Sequence, residues 1–174
     1  MQNRRLGLIA LSLLILLGFF YASTETGAQI RGPLGGEYTF GYFGGSREGY
    51  LASREEVIHR EGACPTGGCV LKLNAVEVRP PRAHQGDTLT LTTSYTILTP
   101  EDRAIPVTIS REIFFEGKSL GKTKSMDRGK LNGDWTQELD FTLPADARPG
   151  VYTLRTKVST GYVDRQQDVT FEVY

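Results

Sequence analysis

The chain has 174 residues, with 20 Lys and Arg against 20 Asp and Glu, and 39% of its residues are hydrophobic. This length suits one domain with additional segments. Because the charge is balanced and no long run of like charges occurs, the sequence offers no electrostatic attraction to nucleic acid or to an anionic membrane surface. We therefore expect a protein or envelope partner, reached through loops, an edge strand or the N-terminal part of the chain, and no nucleic acid.

Residues 1–28 have the pattern of an export signal. Two arginines near the N-terminus precede the apolar run LGLIALSLLILLGFFY, and Ala28 offers a small residue for cleavage. The run is shorter than the ~20 residues that a membrane-spanning helix needs. The segment is predicted to be a signal peptide or, if it is not cleaved, an anchor that touches the membrane only through residues 6–22. Either way the remainder is expected to be exported, whether periplasmic, secreted or on the cell surface.

Residues 29–69 form a segment, called the extension below, that is rich in glycine and aromatic residues. Tyr38, Phe40 and Tyr42 alternate, as the residues of a strand do. A capping box that begins at Ser53 predicts a short helix. We expect either a tether that packs loosely on the following domain or a segment in which the three alternating aromatics contact a partner.

The extension ends in a pair of cysteines, Cys64 and Cys69, which enclose Pro-Thr-Gly-Gly. Oxidising compartments favour closure of such a pair, and the turn-forming residues allow it. A disulfide clip is therefore predicted. The alternatives are a redox-active or metal-binding pair, but the spacing is not C-x-x-C and no third ligand lies nearby in the sequence.

Residues 70–174 alternate apolar and polar positions in short runs separated by turn residues, the pattern of an antiparallel sandwich. A one-residue slip in the phase of the first run predicts a bulge near Ala75. The predicted fold is an all-β, seven-stranded, antiparallel sandwich. Its strands begin near Leu71, Leu89, Val107, Ser119, Trp135, Tyr152 and Val169.

Three segments of this domain resemble bacterial extracytoplasmic immunoglobulin-like and fibronectin-type-III-like modules. They are residues 85–89, 133–135 and 143–154. In those modules a Pro-Gly-x-Tyr-x-Leu segment opens the penultimate strand, and Pro149, Gly150 and Tyr152 match it here. The resemblance implies a structural corner at these residues, with the Tyr152 hydroxyl bonded to nearby backbone. It also implies an accessory, binding or spacer role, because the motif marks a fold and not an activity.

Few residues suggest chemistry. His59 and His84 are the two histidines, and no serine lies in a nucleophile elbow that either could activate. No catalytic, metal or cofactor site is predicted. Trp135 is expected either to pack in the core or to stack on a ligand. Arg111, on the apolar side of its strand, is expected either to extend its charge to the sheet edge or to mark a polar binding spot.

The sequence thus predicts an exported, non-catalytic binding or structural module of the cell envelope or surface, without a cofactor. One alternative is a self-assembling envelope or filament component that uses the aromatic extension to add a strand to a neighbouring sheet. Another is a small exported hydrolase.

Overall fold

The computed structural model describes residues 40–62 and 70–174, without the side chains of Tyr42 and residues 124–128. Within these ranges the chain forms nine strands and one helix. They are β1 (Tyr42–Ser53), α1 (Arg54–Glu61), β2 (Val70–Arg79), β3 (Arg82–Ala83), β4 (Thr88–Leu98), β5 (Ile105–Phe115), β6 (Lys118–Lys130), β7 (Gly133–Thr142), β8 (Gly150–Ser159) and β9 (Asp164–Val173).

The strands form two sheets, one in the order β1-β7-β4-β2 and the other in the order β3-β9-β8-β5-β6. Neighbours are antiparallel except for β3 and β9. The all-β prediction is confirmed. The predicted number of seven strands is wrong for the described residues, because two further strands, β1 and β3, join the seven that the alternation located. β3 has only two residues, too few for a period-two pattern to be recognised.

The core lies between the sheets, where every second residue of each strand points inward. In β5 this alternation is regular from Ile105 to Phe115. The buried apolar side chains form two clusters. One is built around Phe141, Tyr152 and Phe171, and the other around Tyr95 and Ile109. Full burial of side chains of this size stabilises a fold by roughly 1.5–3 kcal/mol each, so these clusters provide the main driving force.

The extension contributes a strand to the sandwich. β1 pairs with β7 along its whole length, from Tyr42 opposite Thr142 to Ser53 opposite Gly133, and forms one edge of the four-stranded sheet. The expectation of a loosely packed tether is therefore wrong for residues 42–53. The predicted division of the chain at residue 70 does not separate β1 from the sheet that it shares with β4 and β7.

The short helix predicted from the capping box is present. The Ser53 hydroxyl accepts a hydrogen bond from the Glu56 amide, and the Glu56 carboxylate accepts one from the Ser53 amide. Gly62 ends the helix in the left-handed conformation. Val57 is fully buried, so α1 is fixed on the end of the four-stranded sheet.

The predicted bulge is also present, since the β2–β4 register shifts between Leu73 and Ala75. The shift changes which side chains of β2 face the core.

Candidate binding surface

One end of the sandwich carries most of the large apolar side chains that are exposed among the described residues. Register places the ends of four strands there: Lys130 of β6 lies opposite Ile105, Ser159 of β8 lies opposite Asp164, and β7 begins at Gly133. The exposed fractions are 46% for Tyr50, 62% for Leu51, 52% for Leu131 and 67% for Tyr162. These residues and the half-buried Trp135 are called the aromatic end below.

Hydrogen bonds hold this surface in one conformation. The rings of Tyr50 and Trp135 lie 4.7 Å apart, and the Tyr50 hydroxyl donates to the carbonyl of Asn132 at 2.8 Å. The Trp135 indole donates to the carbonyl of Leu131 at 2.9 Å, and the Lys130 ammonium lies 3.9 Å from the centre of its ring. Partial burial raises the pKa of Tyr50, so its hydroxyl stays protonated and continues to donate. The aromatic rings are therefore positioned before any partner binds.

The turn between β6 and β7 is built around Asn132. Its side-chain oxygen accepts from the Thr99 amide at 2.7 Å, and its amide group donates to the Thr99 hydroxyl at 2.9 Å and to the Glu101 carbonyl at 3.2 Å. At the next position, Gly133 has φ +136°, and a Cβ there would lie 2.3 Å from the Ala52 carbonyl oxygen. Asn132 and Gly133 thus join three segments of the chain at this end.

Charged groups of α1 and β7 border the aromatic end. Asp134 accepts from the Thr96 hydroxyl at 2.6 Å and from the Arg60 guanidinium at 2.7 Å. Burial acts to raise the pKa of Asp134, but the hydrogen bonds from Arg60 and Thr96 outweigh it, so the pKa is lowered and the carboxylate is ionised. Lys72 also pairs with Glu61 of the helix. These pairs fix the helix beside the aromatic surface.

Trp135 combines the two roles that its sequence position suggested. Part of its ring packs against the second apolar cluster, which fits core packing. The remainder lies against Tyr50 at the surface, where a ligand or partner can reach it.

The aromatic residues predicted to contact a partner lie elsewhere. Phe40 is only 9% exposed and stacks on Tyr152 with ring centres 5.4 Å apart, so its assignment as a partner contact is wrong. The cause is Gly41, whose φ of +74° interrupts the alternation and directs both Phe40 and Phe43 toward the core. The backbone of Tyr42 belongs to β1, whereas its side chain and all of Tyr38 lie outside the described residues.

The predicted corner is present at the opposite end. The Tyr152 hydroxyl donates to the carbonyl of Arg148 at 2.7 Å, just before Pro149. Gly150 adopts φ +143°, with the Phe115 ring 2.9 Å from the position of a Cβ. Cys64 and Cys69 lie outside the described residues, so their disulfide stays a prediction.

The two histidines lie at opposite ends of the sandwich. His59 belongs to α1, and the His84 ring lies against Tyr174, beyond the end of β9. Within residues 40–62 and 70–174, no three His, Cys, Asp or Glu side chains form a group that could hold a metal ion. In the same ranges, no helix has the length and apolar character needed to cross a membrane.

Arg111 does not extend to a sheet edge, so that expectation is wrong. Its side chain is 1% exposed and crosses from β5 to the facing sheet. There it donates to the Gln137 side-chain oxygen and to the Thr93 hydroxyl, both at 2.9 Å. Burial lowers the pKa of Arg111 to about 10. The sequence placed this arginine on an apolar face, but its partners belong to strands that only the fold brings near.

No family model and no curated protein sequence match this chain. Solved structures give weak likenesses, each with a TM-score below 0.5. A family 123 glycoside hydrolase from Clostridium perfringens has a TM-score of 0.43 at 13% identity, over 75% of this chain and 27% of that one. The alkylpurine DNA glycosylase AlkC from Pseudomonas fluorescens gives 0.42 at 12%, over 59% and 30%. The sporulation control protein Spo0M from Bacillus subtilis gives 0.34 at 14%, over 62% and 49%. Likenesses this weak indicate neither a family nor an activity.

Proposed function

We propose that this chain is an exported, non-catalytic binding module whose aromatic end holds a protein partner at the cell envelope. The observation that carries the proposal is the hydrogen-bonded Tyr50–Trp135 pair, surrounded by exposed apolar side chains. Single exposed apolar residues are ordinary, but a cluster of them marks an interaction site. Tyrosine and tryptophan are also the residues on which protein interfaces most often depend.

The rigidity of this surface supports a binding role. A partner that docks on freely rotating aromatic side chains must order them, at about 0.5–1.5 kcal/mol for each side chain. Here Tyr50 and Trp135 are already held by bonds to the carbonyls of Asn132 and Leu131. Binding would therefore lose little conformational entropy.

The finer fold class that we propose is immunoglobulin-like. Its support is the strand order, with β7-β4-β2 facing β9-β8-β5-β6, and the corner tyrosine Tyr152 near the start of β8. In that class, loops at the ends of the sandwich commonly carry the binding residues. Export rests on the N-terminal pattern of residues 1–28.

Assembly through sheet edges is less well supported than binding at the aromatic end. β1 has register shifts next to Ser46 and Ala52 and carries Arg47 between them. The other sheet ends in β6, whose edge bears Lys118 and Lys122. Bulges and charged side chains on edge strands oppose pairing with another chain.

Site-specific photo-crosslinking in the native host tests the proposal. A photoreactive amino acid would replace Leu131 or Tyr162 at the aromatic end. The matched control is Val151, which is 61% exposed on the outer side of β8. We expect one discrete heterologous adduct from the first two positions and none from the third.

A second measurement separates partner binding from loss of folding. Leu131→Ser and Tyr162→Ser should remove the adduct that a reactive group at Leu51 forms, while the unfolding midpoint stays unchanged because these side chains are exposed. Adducts of equal yield from all positions, including Val151, would overturn the proposal. An adduct of twice the chain mass would replace it with self-assembly.

A further inference from the structure

A layer of buried polar side chains separates the two apolar clusters of the core. It consists of Thr93, Arg111, Gln137 and Thr156, called the polar layer below, and all four are at least 95% buried. Thr93 lies opposite Gln137 in the four-stranded sheet, and Arg111 lies opposite Thr156 in the five-stranded sheet. The guanidinium spans the gap between the two pairs.

Two atoms of the polar layer have no hydrogen-bond partner among the described residues. Both terminal nitrogens of Arg111 are bonded, but its Nε is not, and neither is the Thr156 hydroxyl. Both belong to residues that face each other on adjacent strands. Buried polar groups without a protein partner are usually satisfied by a water molecule or an ion. Two such groups on opposed residues indicate one shared occupant.

The charge of the layer indicates what kind of occupant it is. The guanidinium contacts only neutral groups, the Thr93 hydroxyl and the Gln137 amide oxygen. The carboxylate next in line, Glu48, bonds to the far side of Gln137 at 2.9 Å and also pairs with Lys130. Arg111 therefore has no directly bonded counter-charge, and a buried charge is normally paired.

We propose that the polar layer binds one halide-sized monovalent anion between the Nε–H of Arg111 and the hydroxyl of Thr156. Both groups donate hydrogen bonds, so the occupant must accept two, and an anion does so while neutralising the guanidinium. A water molecule also accepts two but leaves the charge uncompensated. The site lies in the core and is separate from the proposed binding surface.

Because the site is enclosed, the anion enters as the domain folds, and its binding appears as added stability. For one site, each tenfold increase in chloride above the dissociation constant raises the folding equilibrium constant about tenfold. The full chain, purified in a mild detergent, would be unfolded by urea at constant ionic strength while chloride replaces isethionate, an anion too large for the site. We expect the midpoint to rise with chloride and with bromide.

Thr156→Val is the test variant, since it removes one donor and nearly preserves shape. Thr153→Val is its matched control, the same substitution on the outer side of the same strand. The chloride dependence should be lost or reduced at least tenfold in the first variant and kept in the second. Equal dependence in both variants, or none in the parent protein, would overturn the proposal, and this comparison does not require an Arg111 variant to fold.

A crystal soaked in bromide gives an independent result. An anomalous peak within hydrogen-bonding distance of Arg111 Nε and Thr156 Oγ1 would support the site. A water molecule at that position, with no anomalous signal, would refute it.

Discussion

Substituting Phe40 by alanine tests whether the segment before β1 belongs to the core. The ring is 9% exposed and contacts Tyr152 and Phe141, at centroid distances of 5.4 and 5.9 Å. Removing a fully buried phenylalanine costs about 3–5 kcal/mol, through lost transfer energy and the cavity that remains. Phe40 lies just before its strand, where the chain can relax, so we expect about 3 kcal/mol. For a domain of this size that lowers the melting temperature by roughly 10 °C.

Trp135 is the only tryptophan in the chain, and it lies at the opposite end of the sandwich from Phe40. Its fluorescence during urea unfolding therefore reports the whole domain and not the region around the substitution. The control is Val151→Ala, an exposed site where the change should stay within about 0.5 kcal/mol.

An unchanged midpoint for Phe40→Ala would refute the reasoning. It would mean that the ring adds no net stability and that the extension is a tether after all. A loss as small as that of Val151→Ala leads to the same conclusion.

Three further changes test separate features. Tyr152→Phe removes the buried bond to the Arg148 carbonyl and should cost about 1 kcal/mol in urea unfolding; an unchanged midpoint would show that the corner bond adds nothing. Gly133→Ala should cost roughly 2 kcal/mol or more, because φ is +136° and a neighbouring carbonyl oxygen would meet the new Cβ; wild-type stability would exclude this close approach. Hydrogen bonds from Arg47 lower the pKa of Asp140 below 3.8, so its stabilising contribution is present above the unfolded-state pKa and is lost as the pH falls through the lower folded-state value. Asp140→Asn should therefore lower the midpoint at pH 7 and have a smaller effect at pH 2, and equal effects at both would contradict the assignment.

The sequence located those elements whose signal is local. Alternation found seven strands because each buries one face, and a one-residue slip found the bulge at Ala75. The capping box at Ser53 found α1 because its bonds join residues three apart. The corner tyrosine was found for the same reason, since Tyr152 bonds to a carbonyl four residues earlier.

The extension could not be placed from sequence because its partner strand is distant. β1 pairs with β7, about ninety residues further along the chain, and Gly41 reverses the side-chain alternation just before the strand begins. Counting every second aromatic residue therefore selected Phe40 and Tyr42, whereas the structure buries Phe40 and Phe43. A single left-handed glycine was enough to invalidate the pattern.

The aromatic end escaped sequence analysis because it is assembled from three turns and a strand end. Leu131 and Tyr162 each stand in a short turn, and Tyr50 lies near the end of β1. Taken singly, each is an ordinary exposed residue. Only the pairing of β1 with β7 brings Tyr50 against Trp135.

The polar layer and the aromatic end are connected through β1. Glu48 lies two residues before Tyr50 on that strand, and its carboxylate bonds both to Gln137 of the polar layer and to Lys130, whose ammonium lies over Trp135. An edge strand with two register shifts is poorly fixed by apolar packing alone, because a slip by one residue turns each side chain to the opposite face. The bonds of Glu48 are directional, and a slip would break both of them. We infer that the buried charge of the core fixes the register of β1 and thereby the position of the tyrosine that the proposed binding surface requires.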